Sequence, residues 1–134
     1  MLFRSREGVT DQVREGEQVF AAIGCATCHV PSLETGPSAN PLFNRKPVAL
    51  FSDLLLHDVG TGDGIKQGAA ATNEIRTPAL WGLRLRRPLL HDGSAATVDE
   101  AVRKHGGEAG LALRGFARLS DTERAALLAF LRSL

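Results

Sequence analysis

A chain of 134 residues that is 43% hydrophobic can bury roughly two-thirds of its unfolded surface, enough for one domain with a modest core and too little for two. Its 16 basic and 15 acidic residues leave a net charge of +1, so no overall field points to nucleic acid or to an anionic membrane as partner. No apolar run approaches the ~20 residues of a bilayer-spanning helix, and the opening MLFRSREG lacks the apolar stretch of a secretory signal. The chain is therefore expected to be a mature soluble protein with a flexible extension over residues 1–9 and a single domain over 10–134.

From Thr10 to Ile23, the apolar residues Val13, Val19, Phe20 and Ile23 recur at helical spacing, with Gly16 on the side of Phe20. This amphipathic helix runs directly into Cys25-Ala26-Thr27-Cys28-His29, which holds the chain's two cysteines. The following HVPSLETGPSANPLFNRKPVAL contains four of the six prolines and is predicted to be an irregular loop. LFSDLLLHDVGTGDGIKQGAAATN is expected to form a short extended piece followed by a long Gly-rich loop. In TPALWGLRL, Thr77 and Pro78 stand where a cap and a first helical position would be, which predicts a short helix or helical turn.

Thr97 and Glu100 form a capping box ahead of Val98, Ala101, Val102 and His105, and Gly106-Gly107 is expected to stop that helix with His105 on its last turn. Ser120 and Glu123 repeat the box before a terminal helix carrying Leu127, Leu128, Phe130, Leu131 and Leu134. The predicted fold class is all-α, with about four to five helices and long loops.

Three chemistries use a C-x-x-C pair. A structural zinc site wants four ligands, and here a second pair is missing while His57, His91 and His105 stand far apart. A thioredoxin-like redox pair belongs at the mouth of a β-α unit, and no such alternation is present. Covalent haem attachment uses the whole of C-x-x-C-H: each thiol adds to a vinyl group of the porphyrin, and the adjoining histidine ligates the iron. Haem c on Cys25, Cys28 and His29 is the favoured reading. A large flat apolar cofactor also gives the long loops something to pack against.

A second axial ligand must come from a short inventory. The one methionine is Met1 and there is no tyrosine, so the candidates are His57, His91 and His105, or else the site is open. His105 is favoured because its predicted helix presents it on or near the buried face, with glycines that let backbone pass close to a flat ring.

FSDLLLHDVG, EIRTPALWGL, LLHDGSAATVDEAVRKHGGEA and the closing RLSDTERAALLAFLRSL resemble the C-terminal haem domain of the bacterial dihaem oxidoreductases, the thiol oxidoreductase-like group, and more distantly the C-terminal domain of dihaem cytochrome c peroxidases and of the methylamine-dehydrogenase maturation enzyme. The resemblance covers nearly everything from Val13 to Leu134 and implies a cytochrome c fold. In the peroxidases a methionine fourteen positions after the histidine of H-D-G binds the iron. The same count from His91 reaches His105 in this chain. The resemblance also implies that His91 is a haem-pocket residue and that Thr77 and Pro78 form a pocket wall. Those relatives carry two haems, whereas this chain has one C-x-x-C-H, so their peroxidase activity does not transfer.

These expectations combine into a monohaem c-type domain that carries single electrons, with His29 and His105 on the iron and Trp81 as an aromatic beside the haem. The partners would be redox proteins, among them another haem domain, and the location the periplasm, because haem c is attached outside the bacterial cytoplasm. Rival readings are a peroxidase- or oxidase-type enzyme and a haem sensor with a displaceable ligand. Arg84, Arg86, Arg87, Arg103 and Lys104 form the densest basic region, a candidate contact for propionates or an acidic partner. Asp58 and Asp63 offer too few ligands for a convincing calcium site.

Overall fold

The computed structural model of the protein describes residues 8–134. Most of the expected N-terminal extension, residues 1–7, lies outside the described residues.

Helix α1 spans Asp11–Ala22 and begins where the Thr10 side chain accepts a hydrogen bond from the Val13 N–H, at 3.3 Å. It buries Val13, Gly16 and Phe20 against α4, Asp121–Ser133. The start of α4 is fixed by Ser120 and Glu123, whose reciprocal bonds form the predicted capping box. Gly16 is what lets the two helices meet so closely: a Cβ there would overlap the Ala126 carbonyl and lie 2.8 Å from the Phe130 Cβ. Behind this contact the rings of Phe20, Phe51 and Phe130 form a cluster of edge-to-face and tilted pairs, with centroids 5.2 to 6.3 Å apart.

Two shorter helices complete the shell. Helix α2, Val98–Arg103, carries the Thr97–Glu100 capping box and buries Val98 and Ala101. Helix α3, Gly110–Arg118, seats Phe116 in the core, with the Arg124 guanidinium 4.8 Å from the ring centroid. Sequence reading did not foresee α3. It has no side-chain cap, and Gly110 and Gly115 interrupt its apolar pattern.

The expectation of an all-α fold is corrected. Four strands are present among the described residues, paired as two antiparallel ladders: β1 (Leu33–Glu34) with β2 (Pro47–Val48), and β3 (Leu56–His57) with β4 (Ile75–Arg76). Each ladder closes one of the two long loops, giving backbone groups that have no helix to enter their hydrogen-bond partners. The expected helical start at Thr77-Pro78 is also corrected. Thr77 extends the second ladder, its N–H donating to the Leu55 carbonyl, and the helical turn falls later, at Leu83–Leu85.

Candidate functional site

After α1 the chain turns through Gly24, at φ +94°, into a 3-10 turn at Cys25–Thr27, and the His29 N–H donates to the Cys25 carbonyl at 3.0 Å. Cys25, Cys28 and His29 therefore stand at i, i+3 and i+4 on one face. That face borders a cavity of about 1020 Å³, at the upper end of the roughly 300–1,000 Å³ usual for small-molecule sites. Leu80, Leu83, Val98, Leu127 and Leu131 give it apolar walls, and Val102 and His105 stand on the side supplied by α2 and its exit.

His29 is held by a strained segment. Phe51 has φ of +53°, in the left-handed region that ordinary side chains avoid, and its carbonyl accepts from His29 Nδ1 at 3.0 Å. The flanking bonds, Ser52 N–H to the Val30 carbonyl and Asp53 N–H to the Cys28 carbonyl, bind residues 51–53 along the motif. A carbonyl only accepts, so Nδ1 of His29 carries the proton and Nε2 keeps its lone pair. Burial lowers the His29 pKa, an effect that its bond to Phe51 only partly offsets, which keeps the imidazole in the neutral form a metal requires.

His105 is arranged in the same way. Its Nδ1 lies 2.7 Å from the Ala101 carbonyl, which again assigns the proton to Nδ1 and the lone pair to Nε2. The residue does not sit on the last helical turn as expected. Helix α2 stops at Arg103, and His105 comes after the cap at Lys104.

The two thiols are partly buried and reduced. Burial pushes Cys25 up to about 11. Cys28 is raised by burial and then by the charges of Asp53 and Glu108. Both shifts oppose the thiolate that a redox-exchange pair needs, which removes the physical basis of a thioredoxin-like reading.

His57 is committed elsewhere. Its Nε2 meets Asp53 Oδ2 at 2.8 Å and its Nδ1 meets Glu108 Oε2 at 2.9 Å. With both nitrogens donating, it is an imidazolium between two carboxylates, and its pKa is raised by Glu108 and then Asp53. It offers no lone pair to iron. Cys28, Asp53 and His57 have ligand atoms within 4.8 Å of one another, the one such group among the described residues, but the protonated thiol and imidazolium make it a poor metal site as it stands.

Thr77, Pro78 and His91 all border the cavity, and His91 Nε2 lies 3.5 Å from Asp63 Oδ2. Trp81 does not line it; the indole N–H donates to the Ala49 carbonyl. Asp58 and Asp63 each cap their own turn, accepting from the Gly60 and Ile65 N–H groups, and do not converge as calcium ligands. Of the basic residues, Arg86 reaches the cavity lining, while Arg84 and Lys104 donate to the carbonyls of Leu134 and Ser94. Sequence reading missed Phe51, Asp53 and Glu108. Only Asp53 has a local signal, an acid four residues before a histidine.

An apolar cavity of this size, with two thiols and two oriented imidazole nitrogens on its walls, fits a haem. Comparison with known proteins gives the same cofactor. A family model described as di-haem oxidoreductase matches residues 2–134. Among characterised relatives, a cytochrome-c peroxidase of Denitromonas iodatirespirans is 30% identical over 94% of this chain, and one of Escherichia coli is 30% identical over 71%. The chain spans 40% and 20% of the lengths of those two proteins.

Two solved structures share the fold. Hydrazine synthase of Kuenenia stuttgartiensis aligns with a TM-score of 0.64 and 23% identity over 97% of this chain and 49% of its own. A MauG-like protein associated with microbial copper homeostasis aligns with a TM-score of 0.60 and 24% identity, over 96% of this chain and 45% of its own. The resemblance first visible in the H-D-G and T-P-x-L blocks thus extends through the whole chain, which belongs to the di-haem oxidoreductase family and is a haem domain of the kind found in cytochrome c peroxidases.

Proposed function

We propose that residues 10–134 act as one haem-holding unit that passes single electrons. The observation that supports this most directly is the matched pair of imidazoles: His29 and His105 each have Nδ1 fixed by a backbone carbonyl and Nε2 free to bind metal. Cys25 and Cys28 would hold haem c through thioether bonds, and His29 and His105 would be its axial ligands. Bound there, the haem supplies reversible one-electron chemistry at iron.

The chain's own residues set the character of that chemistry. The N–H···O bond from each imidazole strengthens its Nε2 as a donor, and two such nitrogens favour ferric iron more than a His/Met pair does. If His29 and His105 both hold the iron, they would leave it no place for a substrate. The apolar walls, among them Leu80, Leu83, Leu127 and Leu131, would keep water from the bound group. Electrons would come from a redox protein and go to another haem domain, consistent with a di-haem family and a single C-x-x-C-H here. Thioether attachment implies the periplasm or another extracytoplasmic site. Among the described residues no helix is long and apolar enough to cross a membrane.

A second reading has support in the relatives' names: a peroxidase-type site with an open or displaceable ligand. Optical spectra of the haem-loaded protein, ferric and ferrous, with and without carbon monoxide, separate the two. Electron carriage requires low-spin iron in both states that ignores the gas, and a change to high-spin, gas-binding iron in His105→Ala. A gas-binding wild-type protein, or a His105→Ala protein with unaltered low-spin spectra, would refute ligation by His105.

A further inference from the structure

His105 stands just beyond the end of α2, where its N–H donates to the Val102 carbonyl and its Nδ1 to the Ala101 carbonyl, so the helix holds it from one side only. The chain then enters a tight turn, Gly107–Ala109, locked to the segment after β3 from several directions. The Gly106 N–H donates to the Val59 carbonyl at 2.7 Å, and the Glu108 N–H donates to the Asp58 carbonyl at 2.9 Å. In return the Asp58 N–H donates to Glu108 Oε1 at 2.9 Å, while Glu108 Oε2 accepts from His57 Nδ1 at 2.9 Å. Gly107, at φ +48°, lies so close that a Cβ would overlap the Asp58 carbonyl.

The connection continues to the opposite wall. His57 donates from Nε2 to Asp53, and the Asp53 N–H donates to the Cys28 carbonyl at 2.8 Å. A run of hydrogen bonds thus joins the turn behind His105 to the segment that bears His29, passing beside the cavity.

We propose that Glu108 and His57 are positioning residues for the distal ligand: they clasp the turn after His105 to β3 and to the C-x-x-C-H segment, so that the distance between the two imidazoles is set by this clasp together with the end of helix α2. The inference rests on the reading of His105 as an axial ligand. Glu108 and His57 border the cavity, but in this role neither gives the iron a ligand. Their effect passes through the backbone at Asp58, Val59 and Gly106.

Haem-loaded wild type, Glu108→Ala, Glu108→Gln, His105→Ala and the surface control Glu34→Ala are compared in two measurements. One is the carbon monoxide binding rate of the ferrous protein; the other is amide hydrogen exchange at Gly106 and Glu108. The clasp predicts that Glu108→Ala keeps the far-ultraviolet dichroism of wild type, raises gas binding roughly threefold to fivefold, as expected for a partly exposed charged contact, and speeds exchange at both amides. Glu108→Gln, which retains an acceptor for the Asp58 N–H, recovers part of the loss, and Glu34→Ala changes neither readout.

Glu108→Ala with wild-type gas binding, in a protein that His105→Ala does open, overturns the clasp and leaves the ligation intact. His105→Ala without effect refutes the ligation; the proposal then falls with it as a ligand-positioning device, and the exchange data alone decide whether Glu108 holds the turn.

Discussion

Replacing Gly16 with alanine sets two opposed effects against each other, and the structure says which prevails. Alanine in a helix interior is favoured over glycine by about 1 kcal/mol, so on propensity alone Gly16→Ala in α1 would stabilise. The methyl group, however, would overlap the Ala126 carbonyl and sit 2.8 Å from the Phe130 Cβ. Neither neighbour is the end of a flexible chain. Ala126 contributes backbone of α4, and Phe130 is fully buried between Phe20 and Phe51.

Relief requires α1 and α4 to separate. Overpacking of this kind costs roughly 1–3 kcal/mol, and separation also loosens the aromatic cluster, whose pairs contribute ~0.5–1.5 kcal/mol each beyond their buried area. The net expectation is destabilisation by about 1–3 kcal/mol, which for a chain of this length lowers the thermal midpoint by ~3–12 °C. The assay is thermal unfolding of the haem-loaded protein followed by dichroism. An unchanged or raised midpoint would show that the two helices have room for a methyl group, and the close approach inferred from Gly16 would be wrong.

The His57 pair predicts a direction of pH dependence. Because Glu108 and Asp53 raise its folded pKa above the ordinary 6.5, its stabilisation is complete below that value and is lost as pH climbs through the raised folded pKa. The midpoint advantage of wild type over His57→Gln should therefore shrink on the alkaline side, and a difference that is flat from pH 6 to 9 would refute the imidazolium. The thiols give a further test in haem-free protein: burial holds Cys25 at about 11 and raises Cys28, so alkylation by iodoacetamide at pH 7 should be slower than for an unfolded peptide, most of all at Cys25. Reaction at the peptide rate would contradict the buried setting.

What could be read from the sequence was what depends on near neighbours. Thr97 with Glu100 and Ser120 with Glu123 are three residues apart, and both boxes form as written. The i, i+3, i+4 spacing of Cys25, Cys28 and His29 puts them on one face because the local backbone is helical. What could not be read depends on partners far along the chain. Glu108 meets His57 across 51 positions and His29 meets Phe51 across 22, and no local pattern announces either contact. The short extended piece expected in LFSDLLLHDVG contains β3, but the pairing of the two-residue ladders was not legible, because it is set by the closure of proline- and glycine-rich loops and not by an apolar alternation of their own. Helix α2 ended earlier than its pattern suggested because Gly106, at φ −127° and ψ −150°, turns the chain into an extended bend toward Val59.

The positive φ at Phe51 points to how such a site is kept in register. A residue in the left-handed region costs of order 1–3 kcal/mol and persists only where its surroundings over-determine it. Here the ring is buried against Phe20 and Phe130, while the N–H groups of residues 51–53 donate to the carbonyls of Pro31, Val30 and Cys28. The strain is held by the aromatic core on one side and by the C-x-x-C-H backbone on the other, and its product is a carbonyl aimed at His29 Nδ1. The tautomer of His29 is thereby tied to the packing of α1 against α4. Across the cavity the Ala101 carbonyl of α2 does the same for His105, and helix packing and imidazole orientation become one constraint.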